Sequence, residues 1–194
     1  MIRTFLSLLL LPFALQGLAQ GNIFPPLTPP PDDTVHPYFP DVILWDQDGN
    51  DQRLYTDLMR GKIVIINSFF ASCEGVCPVL AKNLVAIQTW LGDRMGKDVH
   101  ILSLTVDPEK DTPPILQAYA QRFKAKPGWF FLSGKIENVH AAAKKLGQYV
   151  PQKEGHTNVI VIGNETTGLW KKVQGMAPAQ EIIKVLETVV NDKG

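Results

Sequence analysis

The stretch GKIVIINSFFASCEGVCPVL, residues 61–80, decides the fold of this chain. Positions 63–66 hold four consecutive isoleucine or valine residues, which predict a strand covered on both faces, as central strands of parallel or mixed sheets are. After the two cysteines, apolar residues recur at helical spacing up to Gly92: Leu80, Leu84, Ile87 and Leu91. A second apolar, β-branched run at 100–106 predicts another strand, which the intervening helix makes parallel to the first.

Turn residues, caps and hydrophobic periodicity predict the remaining elements. The turn Asp48-Gly49-Asn50 predicts an N-terminal β-hairpin from residues 42–45 and 53–55. The later elements are a helix capped by Thr112 and opened by Pro113 or Pro114 that runs to 123, a strand at 129–132, a helix at 136–146 ended by Gly147, a hairpin of 159–162 and 169–173, and a helix at 179–190. We therefore expect an α/β fold with a mixed central sheet, an added N-terminal hairpin and flanking helices.

The composition is that of an ordinary globular protein, and it excludes several classes. Of 194 residues, 45% are hydrophobic and 20% are charged, with 19 basic and 19 acidic side chains. This balance excludes a disordered or fibrous chain and leaves no basic stripe for nucleic acid. Cys73 and Cys77 are the whole cysteine content, which is too small for a disulfide scaffold or an all-cysteine zinc site.

The N-terminus has the pattern of a targeting segment. Arg3, the apolar run 5–15 and the small residues that follow predict a signal peptide, residues 1–19, cleaved after Ala19. The apolar run is shorter than the roughly 18 residues of a membrane span, so a soluble exported product is favoured over the alternative of a membrane anchor.

A proline-rich stretch follows the targeting segment. Seven prolines lie in residues 20–40, and this density predicts an extended linker. No internal repeat or second change in composition follows, so residues 41–194 are expected to form one domain. Export sets the chemical context, because the periplasm and other extracytoplasmic compartments are oxidising and bring thiols into contact with oxidants and metals.

The two cysteines stand where a thiolate is stabilised. Cys73 and Cys77 follow the predicted central strand and lie at the start of a helix, where free amide groups and the positive end of the helix dipole favour a negative charge. At least one sulfur should be reactive, and a helical segment would put both on one face, able to bond to each other or to a common third atom. The alternative is a structural disulfide, but closing a loop of about five residues contributes only about 2 kcal/mol.

Three motifs together resemble the Sco/SenC family. They are FFASCEGVCP at residues 69–78, TVDPEKDTP at 105–113 and GHT at 155–157, directly before a predicted strand. The resemblance runs from about residue 41 to the C-terminus and implies a thioredoxin-like fold. It also implies one copper ion bound by two cysteines and a distant histidine, in the service of the dinuclear copper site of cytochrome c oxidase. Residue by residue, these ligands carry over to Cys73, Cys77 and His156.

The chemistry of these side chains agrees with what the resemblance implies. Two thiolates and an imidazole make a soft, three-coordinate set that suits Cu(I), and the set can hold Cu(II) if a further donor joins. We expect one copper ion per chain. Zinc fits less well, because a structural zinc site needs four protein ligands and the sequence shows no hydrolytic apparatus for a catalytic zinc ion.

Asp107 is expected beside the cysteine loop, as a supporting residue of the site. It follows the 100–106 strand, and the carboxyl ends of neighbouring parallel strands line one crevice. There it would accept a proton from a cysteine or orient a ligand, although Asp-Pro is also an ordinary turn. The chain departs from the family pattern at Lys110, where arginine is frequent, and around His156, where Asp and Ser are frequent and this chain has Gly155 and Thr157. A missing carboxylate beside the histidine affects copper binding more than thiol chemistry.

Two functions from different classes use the same sulfurs. In the first, the protein is a metallochaperone that takes copper from a donor and passes it by ligand exchange to an exported client, such as a cytochrome c oxidase subunit. In the second, it is an enzyme, a thiol-disulfide oxidoreductase. Cys73 and Cys77 keep the client's copper-ligand cysteines reduced, and a thiol reductant then reduces Cys73 and Cys77 again. Only the first function requires His156, so that residue distinguishes them.

Overall fold

The computed structural model describes residue 36, residues 38–152, residue 155 and residues 158–194. A π-helical turn, Leu54–Met59, connects the N-terminal hairpin to the main sheet. The strands and α-helices of the described chain are β1 (Ile43–Trp45), β2 (Asp51–Arg53), β3 (Ile63–Phe69), α1 (Val76–Leu91), β4 (Val99–Thr105), α2 (Pro113–Arg122), β5 (Trp129–Leu132), α3 (Ile136–Leu146), β6 (Val159–Asn164), β7 (Leu169–Gln174) and α4 (Ala179–Val190).

The main sheet is mixed, with β3 at its centre. Its five strands are arranged in the order β5-β4-β3-β6-β7, and β1 pairs with β2 in a separate hairpin. β3 runs parallel to β4 and antiparallel to β6, while β4 runs parallel to β5. Every residue of β3 and β4 is buried, as the uninterrupted apolar run predicts.

The sheet separates two hydrophobic layers. α1, α2 and α4 cover one face, and α3 with the π-helical turn covers the other. Successive side chains of β3 alternate between the layers, so Ile65 faces α1 while Val64 and Ile66 face α3. Both cysteines belong to the α1 layer. The predicted α/β fold, with its mixed sheet, N-terminal hairpin and flanking helices, is confirmed, and β5, α3 and α4 have the predicted bounds.

The N-terminal hairpin is shorter than predicted. The sequence predicts residues 53–55 as its second strand, but the strand ends at Arg53 and the chain turns into the π-helical turn. The carboxylate of Asp41 causes this change, because it accepts the backbone N–H groups of Tyr55 and Thr56 at 2.9 and 2.8 Å. Leu54 and Tyr55 are thereby buried in the α3 layer.

Thr112 precedes α2, but its side chain does not cap it as predicted. Within the described chain, its hydroxyl makes no capping hydrogen bond, and its carbonyl instead accepts the N–H groups of Ile115 and Leu116, both at 2.9 Å. Two prolines remove the N–H groups of the first two helical positions, and the third, that of Ile115, is the one that donates to the Thr112 carbonyl.

The N-terminal predictions fall largely outside the described residues. The signal peptide, residues 1–19, and most of the linker, residues 20–40, therefore stay predictions. In the part of the chain that the structure describes, no helix combines the length and the apolar character needed to cross a membrane.

Candidate metal centre

Cys73 and Cys77 lie at the carboxyl end of the central strand. Cys73 is in the turn after β3, where its N–H donates to the carbonyl of Phe70 at 3.1 Å, and Cys77 is in the first turn of α1. The helix begins only at Val76, so the turn, rather than helical i,i+4 spacing, brings the cysteines together. Both are in the reduced thiol form, and the exposed fractions of the two residues are 8% and 3%.

The surroundings of the two sulfurs make them unequal acids. Burial opposes ionisation of Cys73, but hydrogen bonds from the Cys77 thiol and from the backbone N–H groups of Cys77, Gly75 and Val76 outweigh it, so the pKa of Cys73 is lowered. Burial and the role of donor to Cys73 raise the pKa of Cys77. Cys73 is therefore the first of the two thiols to lose its proton, and the amides at the start of α1 stabilise the resulting charge. This asymmetry supports the expectation of a reactive sulfur, which stays a prediction.

The two sulfurs also differ in what they face. Cys73 lines a surface pocket of about 440 Å³ together with five other residues: Ala71, Ser72, Glu74, Pro78 and Arg122. Cys77 faces inward, where it lines a small void beneath the helix with Tyr119 and Trp129. A molecule that reaches the site from solvent therefore meets Cys73 first.

A buried carboxylate, Asp111, anchors the cysteine loop. It accepts the N–H of Ala71 at 3.3 and 3.2 Å and the hydroxyl of Thr105, the last residue of β4. It thus joins the ends of two neighbouring strands just before Cys73. Sequence reasoning missed this residue, because an Asp before Thr-Pro looks like the start of α2 and its partner Ala71 is 40 residues away.

Asp107, the carboxylate predicted beside the cysteines, is buried at the end of β4. Its N–H donates to the Thr105 hydroxyl at 3.0 Å, and its carbonyl accepts the N–H groups of Lys110 and Asp111 at 3.0 and 2.9 Å. This backbone turn carries Asp111 back to the cysteine loop. The predicted roles of the Asp107 carboxylate, proton acceptor or ligand orienter, stay predictions.

Tyr119 on α2 is a second residue that the sequence does not reveal. Its hydroxyl is buried and has no hydrogen-bond partner among the described residues, and it shares the small void with Cys77. Burial and the nearby negative charge of the cysteines raise its pKa, so it stays a neutral phenol. A neutral phenol is a hydrogen-bond donor, so the void beside Cys77 contains one unused donor.

The predicted third ligand, His156, lies outside the described residues. Asn158, two residues later, is fixed by a hydrogen bond, because its carbonyl accepts the N–H of Gly175 at 2.5 Å. Gly175 in turn lies against Leu80, one turn after Cys77: a Cβ on it would meet the Leu80 side chain at 2.7 Å. Among the described residues, no three His, Cys, Asp or Glu side chains cluster closely enough to bind a metal ion.

Comparison with known families assigns the chain. The family model described as SCO1/SenC matches residues 40–191. The chain belongs to the SCO1/SenC family. The resemblance read from the cysteine, Val-Asp-Pro and Gly-His-Thr motifs is thereby confirmed.

Individual relatives agree with this assignment. The SCO1 protein homolog of Bacillus subtilis is 30% identical over 118 residues, which are 59% of this chain and 60% of that protein, so the match spans about three fifths of the relative's length. A SCO1/SenC family lipoprotein from Bacillus anthracis superposes with a TM-score of 0.66 at 25% identity, covering 79% of this chain and 95% of that one.

Two further solved structures share the thioredoxin-like Sco fold. BsSco, described as a member of the Sco family of cytochrome c oxidase assembly proteins and as containing a disulfide switch, has a TM-score of 0.64 at 25% identity, covering 78% of this chain and 92% of that one. Yeast Sco1, solved with copper bound, has a TM-score of 0.63 at 24% identity, covering 81% and 96%.

The unequal acidity of the cysteines predicts where and when an alkylating agent reacts. At neutral pH, iodoacetamide should label Cys73 first, since only the thiolate is nucleophilic. The Cys73 rate should rise with pH around a midpoint below that of an ordinary cysteine, while Cys77 should stay slow at the same pH. Peptide mapping of the labelled protein measures both rates.

The contribution of the hydrogen bond from Cys77 to the pKa of Cys73 can be tested with two variants of Cys77. Cys77→Ser keeps a hydroxyl that donates to the Cys73 sulfur, whereas Cys77→Ala removes the donor, so the reactivity midpoint of Cys73 should lie at higher pH in the alanine variant. Equal midpoints in the two variants, or earlier labelling of Cys77 in the unmodified protein, would show that the described hydrogen bond does not set the acidity.

Loss of the Asp111 carboxylate should loosen the cysteine loop. Asp111→Asn replaces one acceptor oxygen by an NH₂ donor, which leaves the Ala71 N–H or the Thr105 hydroxyl without its partner and costs about 1–3 kcal/mol of unfolding free energy. Glu109→Gln is the matched control, since it removes the same charge from an exposed position in the same turn. Urea unfolding compares the two, and equal stabilities would contradict the anchoring role.

Proposed function

We propose that this protein is an exported metallochaperone that holds one copper ion on Cys73, Cys77 and His156 and passes it to the dinuclear copper site of cytochrome c oxidase or to another exported copper protein. The observation that carries the proposal is the pair of reduced, buried thiols of unequal pKa beside a surface pocket. Membership of the SCO1/SenC family supports copper as the cargo, since yeast Sco1 has been solved with copper bound.

The donor set suits copper better than other metals. Two thiolates are soft ligands, which favour Cu(I), and one imidazole completes a three-coordinate site. With a further donor the same set holds Cu(II). A site with two or three ligands also keeps coordination positions open, which a cargo site needs because a client's ligands must enter before the protein's ligands leave.

The difference in pKa between Cys73 and Cys77 sets the order in which the two sulfurs bind copper. Cys73 is already favoured as a thiolate and faces the pocket, so it supplies the first sulfur. The positive charge of the ion then lowers the pKa of Cys77, whose proton leaves, and both sulfurs bind. Release begins at the same surface sulfur, where a client thiolate enters through the pocket and replaces Cys73, and Cys77 leaves the ion afterwards and regains its proton.

The chain around His156 supports its role as the closing ligand. Gly175 bonds to Asn158 and packs on Leu80, so the segment after the histidine is held beside the helix turn that follows Cys77. Asn83 strengthens this contact, because its side-chain NH₂ donates to the carbonyls of Gly175 and Ala177 at 2.8 and 2.9 Å.

The second candidate is a thiol-disulfide oxidoreductase, favoured by the lowered pKa of Cys73 and by the disulfide switch described for BsSco. The Cys73 thiolate would attack a client disulfide and release one client thiolate. Cys77 would then lose its proton, attack the Cys73 sulfur and release the second, so two electrons pass to the client. Both functions need Cys77 to lose its proton, so its raised pKa does not decide between them, and His156 remains the residue that distinguishes them.

Copper stoichiometry tests the ligand set. Thiol-reduced protein titrated anaerobically with Cu(I) against a competing chelator should bind one ion per chain. Cys73→Ser and Cys77→Ser should each lose tight uptake, since one thiolate and one imidazole leave the ion under-coordinated. Tight binding that persists in the double serine variant would refute the assignment of the site.

A histidine substitution separates the two functions. His156→Ala keeps both sulfurs, so reduction of a disulfide substrate should proceed at its usual rate, whereas Cu(II) binding and the thiolate-to-metal absorption should be lost. Delivery of copper to the client should fail. The matched control is His140→Ala, an exposed histidine on α3, which should change none of these properties.

One outcome would favour the oxidoreductase instead. If the client's copper site fills normally with His156→Ala while Cys77→Ser blocks filling, the histidine has no part in delivery and thiol exchange is the main activity.

We also propose that the protein works outside the cytoplasm. The support is the leader pattern of residues 1–19 and the oxidising, metal-exposed setting that thiol and copper chemistry need. N-terminal sequencing of the protein from its native host should find a chain that begins near Gln20 in the soluble fraction. A retained leader in the membrane fraction would show an anchored form.

A further inference from the structure

A second pocket lies on the face of the sheet opposite the cysteines. It has a volume of about 360 Å³, within the range of small-molecule sites, and opens between the end of α3 and the outer strands β6 and β7. Val161 and Trp170 on its floor belong to the α3 layer, whereas both cysteines belong to the α1 layer. The pocket is therefore separate from the proposed copper site.

The floor of this pocket is a flat aromatic surface. Trp170 of β7 pairs with Gly163 of β6, and a Cβ on that glycine would lie 2.1 Å from the indole ring. The ring therefore rests directly on the backbone of β6, and only glycine permits this contact. The half-buried indole also lines the pocket, so it offers a planar apolar surface to a ligand.

Two more aromatic rings form a wall beside the indole. Phe39 lies 5.2 Å from Trp170, measured between ring centroids, and Tyr38 packs edge-on against Phe39 at 4.9 Å. Phe39 is buried, whereas Tyr38 is 52% exposed. A wall of this kind favours a ring that slides in beside the indole.

The rim of the pocket is positively charged. Lys145 at the end of α3 holds its ammonium group 4.5 Å from the Tyr38 ring centroid, and Lys172 of β7 is the second cation. Neither ammonium group forms an ion pair with a described residue. Glu165 adds one negative charge to the lining, but its two oxygens accept the Tyr55 hydroxyl at 2.8 Å and the Gly61 N–H at 2.7 Å, and the two lysines outnumber it.

From this arrangement we propose that the pocket binds a small planar aromatic carboxylate. The ring stacks on Trp170 beside Phe39, and the carboxylate lies between the ammonium groups of Lys145 and Lys172. The flat apolar floor, the aromatic wall and two cations that form no ion pair with a described residue match that ligand class in both shape and charge. Binding in this pocket does not involve the sulfurs, so the proposal goes beyond the copper function. A failure of either proposal leaves the other unaffected.

The alternative role of Lys145 and Lys172 is to stabilise the C-terminal end of α3, and it leads to a different expected result. Both lie near the C-terminal end of α3, where cations stabilise the exposed carbonyl groups of a helix. If that were their whole purpose, their replacement would lower the stability of the protein and leave binding of an aromatic anion unchanged.

The test is a titration of the full protein with 2-naphthoate, followed by two-dimensional ¹H–¹⁵N NMR. We expect saturable shifts at the indole N–H of Trp170, assigned by the loss of its signal in Trp170→Leu. The neutral isostere 2-naphthalenemethanol should bind at least about fivefold more weakly, because it lacks the charge that the lysines attract. Both affinities are measured on the unmodified protein, and Trp170→Leu serves only to assign the signal.

Matched variants then test whether Lys145 and Lys172 supply the positive charge that attracts the ligand. The double variant Lys145→Gln with Lys172→Gln should weaken 2-naphthoate at least about tenfold and leave the neutral isostere unchanged. Lys171→Gln is the control, since Lys171 is adjacent in β7 but donates to Thr188 of α4 on the other face of the sheet. It should bind 2-naphthoate as the unmodified protein does.

Three results would overturn the proposal. They are the absence of saturable shifts at Trp170 up to millimolar 2-naphthoate, equal affinity for the acid and the neutral isostere, and equal weakening by Lys171→Gln and the double variant. The last would reveal a general charge effect instead of a site.

Discussion

The burial of β3 is the constraint on which the rest of the structure depends. β3 is covered on both faces and flanked by β4 and β6, so the chain that follows its carboxyl end lies in a confined space. Each backbone N–H there needs a hydrogen-bond partner. Asp111 supplies an acceptor for Ala71, Phe70 supplies one for Cys73, and the Cys73 sulfur itself receives the amides that open α1. The same hydrogen bonds that let the chain turn therefore prepare one sulfur as a thiolate.

The asymmetry between the two sulfurs links this geometry to function. A site with both thiols ionised in the free protein would need to bury two like charges side by side, which is costly. Sharing one proton between Cys73 and Cys77 avoids that cost, and an incoming cation removes the need for the proton. In a mixed disulfide Cys73 carries no charge, so the same pair of sulfurs also suits the resolving step of disulfide exchange. Acidity alone therefore does not separate the two functions, and the histidine does.

Local patterns predicted the elements, and long-range contacts account for what they missed. The apolar run in β3, the helical repeat of α1 and the turn glycine after α3 are signals contained within a few residues, and those elements appear as predicted. The π-helical turn depends on Asp41, 14 residues before Tyr55, and the loop anchor depends on Asp111, 40 residues from Ala71. Tyr119 has the helical spacing of an ordinary core residue, so nothing in the sequence indicates that it shares a void with Cys77.

The most direct test of the central claim is X-ray absorption spectroscopy at the copper edge on protein loaded with one Cu(I) per chain. We expect a first coordination shell of two sulfur atoms and one nitrogen atom whose outer-shell scattering is that of an imidazole, with the imidazole signal lost in His156→Ala. A shell with one sulfur or none, or an imidazole signal that survives in that variant, would contradict the assignment of Cys73, Cys77 and His156 as the copper ligands.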